Sequence, residues 1–580
     1  MSNFYTDNPD IAKTIDAVDL TEVATLLEED FKYAKEFECA PISAEDAIDN
    51  YKRALQVCGD ISGNRIAPTA EETDKVGNIL NEDGSVTYTP GIKLAIDLLG
   101  RSGLSGCTIP YRLGGLNMPC TILTACNDIV SRADAALMNI FGLQGIAETI
   151  NAFASEEIKS EYVPKLCNGT YTGAMVLTEP DAGSDLQSVK TMAWQDENGN
   201  WFVNGVKRFI TNGCGDVLLV LARTEPGTTN GAGLSCLLVE KGPKVKVRRL
   251  EHKLGINGSP TCELVFQDAP ARLIGQRKRG LITYVMALMN GARVGISAQG
   301  TGIGEAAYRA ARDYAAARKQ FGVTIDTFPA LRELLSDMSV DVQAARLLAY
   351  YGSKSVDMEN GLAKKFESLK GTPEAMDVRK RMKAYAGFNK MLTPMAKYYA
   401  SEMSMRVSNG AVAVLGGSGY MKDYPVERYL RDARITSIYE GTSQLQVVAA
   451  IAGVTACLYN EVVADIYSGI DTSAFESEKA EIARLAAEVD SAVAYVKAHP
   501  EGKAYHDLHA RQLVDGAIAV VIGALFVRFA AKFDEKRPSL AYWLSTKFPT
   551  AYSELAKAKS GYMASVTDFE KIAPMPAEAD

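Results

Sequence analysis

The sequence predicts a mainly α-helical protein with one β-domain at its centre, because three textures follow one another along its 580 residues. Apolar residues recur at helical spacing up to about residue 172, short β-branched runs alternate with turn dipeptides over 173–280, and helical patterning returns from 281 to the end. A chain of this length exceeds one ordinary core, so separate domains are expected. The textures place an N-terminal helical domain with an extension at 1–172 and a small β-barrel or sandwich at 173–280. A four-helix bundle at 281–457 and an additional helical domain at 458–580 complete the expectation.

In the first domain, Thr21–Glu29 carries apolar residues at helix spacing, Ile158–Lys165 suits a shorter helix, and the glycine- and proline-rich stretch Gly100–Gly115 separates helical pieces. In the second, Asn204-Gly205 within Trp201–Ile210 predicts a hairpin through a type I′ turn, since both residues accept positive φ. Val217–Ala222, Leu234–Val239, Val245–Leu250 and Cys262–Phe266 read as further strands, about seven in all. From Leu281 the helices begin with small-residue segments such as Ala292–Ala311, which permit close helix approach. Lys364–Lys383, broken at Gly371, reads as a charged surface excursion, and Pro574–Asp580 as a loose tail.

The formal net charge of -9 and the pI near 5.4 argue against a nucleic-acid partner, which would leave a basic footprint. Ten cysteines with no Cys-x-x-Cys pair read as reduced thiols of a cytoplasmic protein. The N-terminus has neither the basic and apolar regions of a secretory signal nor the character of a transit peptide, so export is not expected. Val447–Leu458 and Ala517–Val527 fall short of the roughly 20 residues needed to cross a bilayer, and read as buried helices or subunit contacts rather than membrane spans. His506 and His509 share a helical face, yet no cysteine or acidic cluster completes a metal site, so they read as a solvated or capping pair.

Four segments carry the chemistry. Met175-Val-Leu-Thr-Glu-Pro-Asp-Ala-Gly-Ser-Asp185 leaves a strand for a loop, and Arg318-Lys-Gln-Phe-Gly322 lies near a helix end that Gly322 can stop in the left-handed conformation. Leu415-Gly-Gly-Ser-Gly-Tyr420 is a turn that lets backbone approach a ligand, and Arg431-Asp-Ala-Arg-Ile-Thr-Ser-Ile-Tyr-Glu-Gly-Thr-Ser-Gln444 contains one candidate base. Taken singly, each has an ordinary explanation as a β-turn, a helix-terminal arginine or a capping glutamate. Together, in this order and at this spacing, they resemble the signatures of the FAD-dependent acyl-CoA dehydrogenase family over about residues 50–455, as a longer member with an extra C-terminal helical domain.

The resemblance implies α,β-dehydrogenation of an acyl-CoA thioester to a trans-2-enoyl-CoA, as in the β-oxidation of fatty acids. Glu440 matches the α-proton base, which needs a closed apolar pocket to raise its pKa toward the working pH. Arg293 and Gly441 match supporting positions, and Ser184 and Tyr439 join Glu440 and Gly441 as substrate contacts. Leu177, Thr178, Gly183, Ser184, Phe209 and Thr211 match flavin contacts, with hydride passing to flavin N5; Phe209 stands where many relatives carry tryptophan. Arg318, Phe321, Gly416, Gly417, Thr442 and Gln444 match contacts to the adenine and pyrophosphate half of FAD, some of them across a subunit boundary. The chain departs from the pattern at Ala413, where relatives often carry glutamine. Branches that draw the base from the bundle helix place it beside Arg293, where this chain has Ala292, so Glu440 has no rival in sequence. The resemblance further implies electron-transferring flavoprotein as acceptor and, for a longer member, a homodimer. An acyl-CoA oxidase using oxygen and a non-catalytic flavoprotein that only binds or assembles are the alternatives.

Overall fold

The computed structural model describes residues 2–575, apart from the side chains of Ala287 and Asn290; the last residues of the predicted tail, 576–580, lie outside it. The chain divides into two compact units. One contains the residues up to Ala386 together with Ala396–Ser443, the other Gly387–Met395 together with the chain from Gln444 on.

The first unit begins with helices α1 (Pro9–Val18), α2 (Thr21–Leu27), α3 (Ala44–Ile61) and α4 (Ala70–Val76). Helix α3 shows why the pattern was readable: Ala47, Tyr51, Ala54, Leu55, Cys58 and Ile61 form one buried face, and the Ser43 hydroxyl accepts the Asp46 N–H at 3.2 Å to start it. A hairpin of two-residue strands, β1 (Ile79–Leu80) and β2 (Val86–Thr87), then appears that no periodicity could announce. Helices α5 (Pro90–Arg101), α6 (Cys120–Ala133), α7 (Ala135–Phe141), α8 (Gly145–Phe153) and α9 (Glu156–Cys167) follow, with the glycine-rich 100–115 stretch between α5 and α6. Asp134 makes the corner between α6 and α7: its carboxylate accepts the Ala136 and Leu137 N–H groups at 2.8 and 3.3 Å.

Seven strands form the β-domain: β3 (Gly173–Val176), β4 (Met192–Gln195), β5 (Trp201–Thr211), β6 (Val217–Arg223), β7 (Leu234–Glu240), β8 (Val245–Leu250) and β9 (Thr261–Leu273). Pairing runs β6-β4-β5-β9-β7 and returns from β7 to β6, so the sheet closes as a barrel, with β3 added alongside β6 and β8 alongside β9. Successive residues of β6 are buried on opposite faces. Leu218 and Val220 fill the barrel, whereas Val217 and Leu219 pack with Ile146, Ile150 and Val163 of α8 and α9, which is why the strand reads as an unbroken apolar run. The expected Asn204-Gly205 turn is absent. Strand β5 passes straight through it, with a register shift against β9 between Val203 and Gly205, and Gly205 at φ 150° sits so close to Thr191 that any Cβ would clash. The turn preceding β5 lies instead at 196–200, where the Asp196 carboxylate accepts the Asn198 and Asn200 N–H groups.

Helix α10 (Met286–Ala317) leads through the short hairpin β10 (Lys319–Gln320) and β11 (Val323–Thr324) to α11 (Pro329–Ser368), α12 (Ala375–Leu415) and α13 (Val426–Thr436). Gly322 therefore does not stop a helix, as the sequence suggested. Helix α10 ends at Ala317, and Phe321 and Gly322, at φ 52° and 86°, form the positive-φ turn of the hairpin. Alanines of α10 pack with Met338 and Val342 of α11 and with Met403, Val407 and Ala411 of α12. Deep among the helices, Arg346 of α11 is 1% exposed and donates to Asp128 of α6 at 2.7 Å and to Glu305 of α10 at 2.9 Å. Burial would raise the Glu305 carboxyl, but Arg346 and Arg309 hold it down at about 2.

In the second unit, α14 (Ser443–Thr455, of which Ser443 belongs to the first unit) precedes α15 (Leu458–Tyr467), α16 (Glu476–Ala498), α17 (Gly502–Lys532), α18 (Arg537–Ala558) and the one-turn α19 (Ala564–Thr567) and α20 (Phe569–Ile572). Helix α17 is long and apolar enough by composition to cross a membrane, yet 94% of its apolar window is buried among α15, α16 and α18. Trp543 and Arg528 satisfy carbonyls there, at Ala519 (3.2 Å) and at Ile466 and Ser468 (2.8 and 3.0 Å). His509 is buried rather than solvated: it lies 4.3 Å from the Tyr505 ring, and its Nε2 is 3.2 Å from the Tyr562 carbonyl.

Candidate active site

A cleft opens in the first unit between α6, α7, α8, α10 and the loop that follows α13. Apolar groups line much of it, including Leu123, Met138, Ile146, Leu288, Val294 and Ile296, and Glu440, Tyr439 and Thr211 bring polar chemistry to its wall.

The loop bearing Glu440 is held from several sides. Glu440 and Gly441 adopt φ of 53° and 88°; this is ordinary for glycine but costs a glutamate conformational energy, so the surroundings must enforce it. The Tyr439 hydroxyl donates to Asn139 at 2.9 Å and bonds Gln299, whose amide in turn donates to the Ala135 carbonyl at 2.9 Å and to Asn139 at 2.8 Å. From the other side Lys397, fully buried on α12, donates to the Gly441 carbonyl at 2.7 Å, and Ser401 one turn later donates to the Thr436 carbonyl at 2.9 Å. Ile438, which precedes Tyr439 in this loop, is 44% exposed.

Electrostatically, burial pushes the Glu440 carboxyl up to about 7, against the opposing pull of Lys397 and Arg293. Burial likewise lowers Lys397 to about 8, with Glu440 resisting, and lowers Arg293 from its ordinary value. The geometry therefore offers a base poised near neutrality with two cations beside it, an arrangement that can take a proton from a weak carbon acid. Lys397→Met should remove one stabilising charge and move the acid limb of the kcat/KM–pH profile to higher pH. A pH series on both proteins measures this, and an unshifted limb would refute the coupling.

Of the residues matched to flavin contacts, Thr211 lines this cleft and Phe209 is 52% exposed at φ 60°, with the Arg208 guanidinium 4.6 Å from its ring. The loop after β3 is stapled by a buried pair. Lys207 of β5 donates to the Leu177 carbonyl at 2.8 Å and sits 3.0 Å from Glu179, which accepts the Lys190 and Thr191 N–H groups at 2.7 and 2.9 Å. Burial lowers Lys207 to about 8 despite Glu179. The staple leaves Gly183 and Ser184 exposed, and the hydroxyls of Thr178, Ser184 and Thr211 take no hydrogen-bond partner among the described residues. An exposed aromatic face beside unpaired hydroxyls on a rigid loop fits a flavin ring.

Arg318, Phe321, Gly416 and Gly417 lie outside the cleft lining. Arg318 and Phe321 are exposed, Phe321 at 93%, and Gly416 and Gly417 face space where a Cβ would meet nothing within 4 Å, which suits close approach of a pyrophosphate. The Tyr314 hydroxyl, bonded to Ser418 at 3.4 Å, brings the two segments side by side. Thr442 is half-buried next to Gly441, and Gln444 is exposed at the start of the second unit.

Sequence reasoning missed Lys397 and Glu148. Lys397 stands on a stripe of buried polar residues, Lys397, Ser401 and Ser404, whose i, i+4 and i+3 spacing was the available signal. Glu148 of α8 lines the same cleft as Glu440, so Glu440 is not the only carboxylate there.

Matches to known proteins agree with this geometry. Residues 54–170, 174–269 and 279–454 match the models "Acyl-CoA dehydrogenase, N-terminal domain", "middle domain" and "C-terminal domain". An acyl-CoA dehydrogenase of Bacillus subtilis is 36% identical over 394 residues, 67% of this chain and 93% of the relative. The structure of butyryl-CoA dehydrogenase from Megasphaera elsdenii aligns with 31% identity and a TM-score of 0.59, covering 70% of this chain and 98% of that one. Caenorhabditis elegans ACDH-11, solved in complex with C11-CoA, shares the fold along the full length, with a TM-score of 0.78 at 19% identity over 100% of this chain and 96% of that one.

Proposed function

The chain belongs to the acyl-CoA dehydrogenase family of FAD-dependent oxidoreductases, and from that premise we propose that Glu440 abstracts the α-proton of an acyl-CoA thioester that is oxidised to the trans-2-enoyl-CoA. The observation that carries this reading is a carboxyl raised to about 7 inside a partly apolar cleft, on a loop locked by Tyr439 and Lys397.

Leu177, Thr178, Gly183, Ser184, Phe209 and Thr211 would hold FAD at its ring and Arg318, Phe321, Gly416, Gly417 and Thr442 at its far half, and FAD would supply the hydride acceptor when bound. The chain's own part is to orient and to move one proton. In this reading the Glu440 N–H would polarise the thioester carbonyl, which lowers the cost of developing enolate charge. Lys397 and Arg293 keep enough Glu440 ionised at neutral pH while burial keeps the anion strongly basic. Because the active form is the deprotonated one, kcat/KM should rise with pH through about 7; a profile flat between pH 5.5 and 8.5 would contradict the assignment.

Anaerobic titration of the flavin-loaded protein with a panel of CoA thioesters tests the activity. At least one member should bleach the flavin, and failure of all would overturn the reading. Electrons then pass to an electron-transferring flavoprotein, and slow reoxidation of the reduced protein in air, followed by stopped flow, separates this from an oxidase. The exposed Phe321 and Tyr420, beside Arg318, support burial against a second copy in a homodimer. Light scattering should give two subunits. Ten free cysteines, seven of them buried, suit a reducing, cytoplasmic setting.

A further inference from the structure

The cleft that holds Glu440 is too polar at one wall for a plain hydrocarbon. Glu148 lines it from α8, with one carboxylate oxygen accepting the Thr108 hydroxyl and the other, Oε2, lying 3.9 Å from where a Cβ of Gly291 would stand across on α10. No ion pair to Glu148 exists among the described residues. Two further polar side chains line the same cleft with an atom unpaired among the described residues. These are Asn127, 3% exposed, through Oδ1, and Asn139, 6% exposed, through Nδ2, which points away from the bonds its Oδ1 makes to Tyr439 and Gln299. Gly142 and Gly295 stand beside Asn127 and Met138: added Cβ atoms would lie 3.9 Å from Asn127 Oδ1 and 3.7 Å from its Nδ2, and 2.9 and 3.3 Å from Met138 Cε.

Buried polar atoms without partners are costly, and a half-buried carboxylate without a cation is more so, unless a ligand completes them. An ionised Glu148 Oε2 can only accept and Asn127 Oδ1 is a second acceptor in the same cleft, so a donor is the partner that completes both. The intervening wall, Met138, Ile146, Leu288 and Val294, is apolar and suits methylene groups. We infer that the acyl group taken by this cleft carries a hydrogen-bond donor, a hydroxyl or an amine, on the chain beyond the β-carbon, and that Glu148 with Asn127 receives it. Glu148 is thus a specificity-determining residue, not a second base. This rests on the acyl-CoA reading of the cleft. Burial also raises the Glu148 carboxyl above its ordinary value, and a bound donor would relieve that.

The test uses full-length flavin-loaded protein and matched thioesters of four and six carbons: unsubstituted, ω-hydroxy, ω-amino and ω-carboxy. Both the dissociation constant and the rate of anaerobic bleaching are read. The ω-hydroxy or ω-amino member should exceed its unsubstituted partner in kcat/KM and in affinity by at least about tenfold, and the ω-carboxy member should be rejected. Glu148→Leu should reverse the preference. Glu148→Gln, which preserves shape, should keep a hydroxyl preference and lose an amine preference, so the pair of variants tells the two donors apart. Preference of the wild type for the unsubstituted chain, or an unchanged ratio in Glu148→Leu, overturns the inference while leaving the dehydrogenase reading intact. Loss of bleaching with every thioester in Glu148→Gln also overturns it, because that marks a catalytic group. If no thioester bleaches the wild type, the dehydrogenase reading fails, and the binding ratios alone decide whether the donor is recognised.

Discussion

Glu440→Gln is expected to bind acyl-CoA with nearly unchanged affinity and to bleach its flavin at a rate lower by roughly 10³-fold, the middle of the range that a positioned general base contributes. Glutamine fills the same volume, and the left-handed backbone at 440, the Tyr439–Asn139–Gln299 bonds and the Lys397 bond to the Gly441 carbonyl do not depend on the side-chain charge. What is lost is the basic oxygen. An affinity loss as large as the rate loss would mean that Glu440 holds the loop or the ligand rather than the proton. The separation of binding from chemistry is therefore as informative as the rate itself.

Arg346→Met should produce the largest stability effect, about 3–5 kcal/mol, the range measured when one partner of a buried ion pair is removed. Arg346 is 1% exposed and serves three helices at once, and its loss strands Asp128 beside the Tyr350 hydroxyl and leaves Glu305 with Arg309 alone. The pH dependence has a definite sign. In the wild type Glu305 is depressed to about 2, so its contribution is fully present above the unfolded carboxylate range and is lost as pH falls toward 2. In the variant Glu305 keeps Arg309 but loses Arg346, so its carboxyl should titrate higher than in the wild type, and the gap in melting temperature should be widest near pH 7 and narrow toward pH 5. Scanning calorimetry at both values measures this. Equal gaps would show that packing around Met, not charge, sets the loss.

Much of the architecture was legible because it depends on patterns that sequence states directly. Apolar residues at helix spacing gave α3 and α9 their buried faces, and the β-branched runs at 217–222 and 245–250 match β6 and β8 closely. Turn chemistry was less reliable. Asn204-Gly205 has the composition of a type I′ turn, but β5 continues because its pairing with β9 on either side outweighs a dipeptide preference, and the glycine is needed where Thr191 crowds the backbone. The positive-φ pair stands instead at Phe321-Gly322, where phenylalanine gives no such hint. The strand pair at 79–87 was too short for any period to show.

At the site, linear motifs named the residues that share a local segment, Tyr439, Glu440 and Gly441 among them. They could not name groups that arrive from elsewhere in the chain. Lys397 is 44 positions from the carbonyl it holds, and the polar stripe it shares with Ser401 and Ser404 on α12 does not say which segment it faces. Glu148 has the same difficulty: only the packing of α8 toward α10 puts it in the cleft.

The central claim is that Glu440 removes the α-proton. Exchange of the α-hydrogens of a bound acyl-CoA with deuterium from solvent, followed by mass spectrometry on a thioester whose β-position is blocked by an ether oxygen, isolates that step from hydride transfer. Wild-type protein should exchange them with a midpoint near pH 7, and Glu440→Gln should not exchange them above the solvent background. Exchange in Glu440→Gln at the wild-type rate would contradict the account.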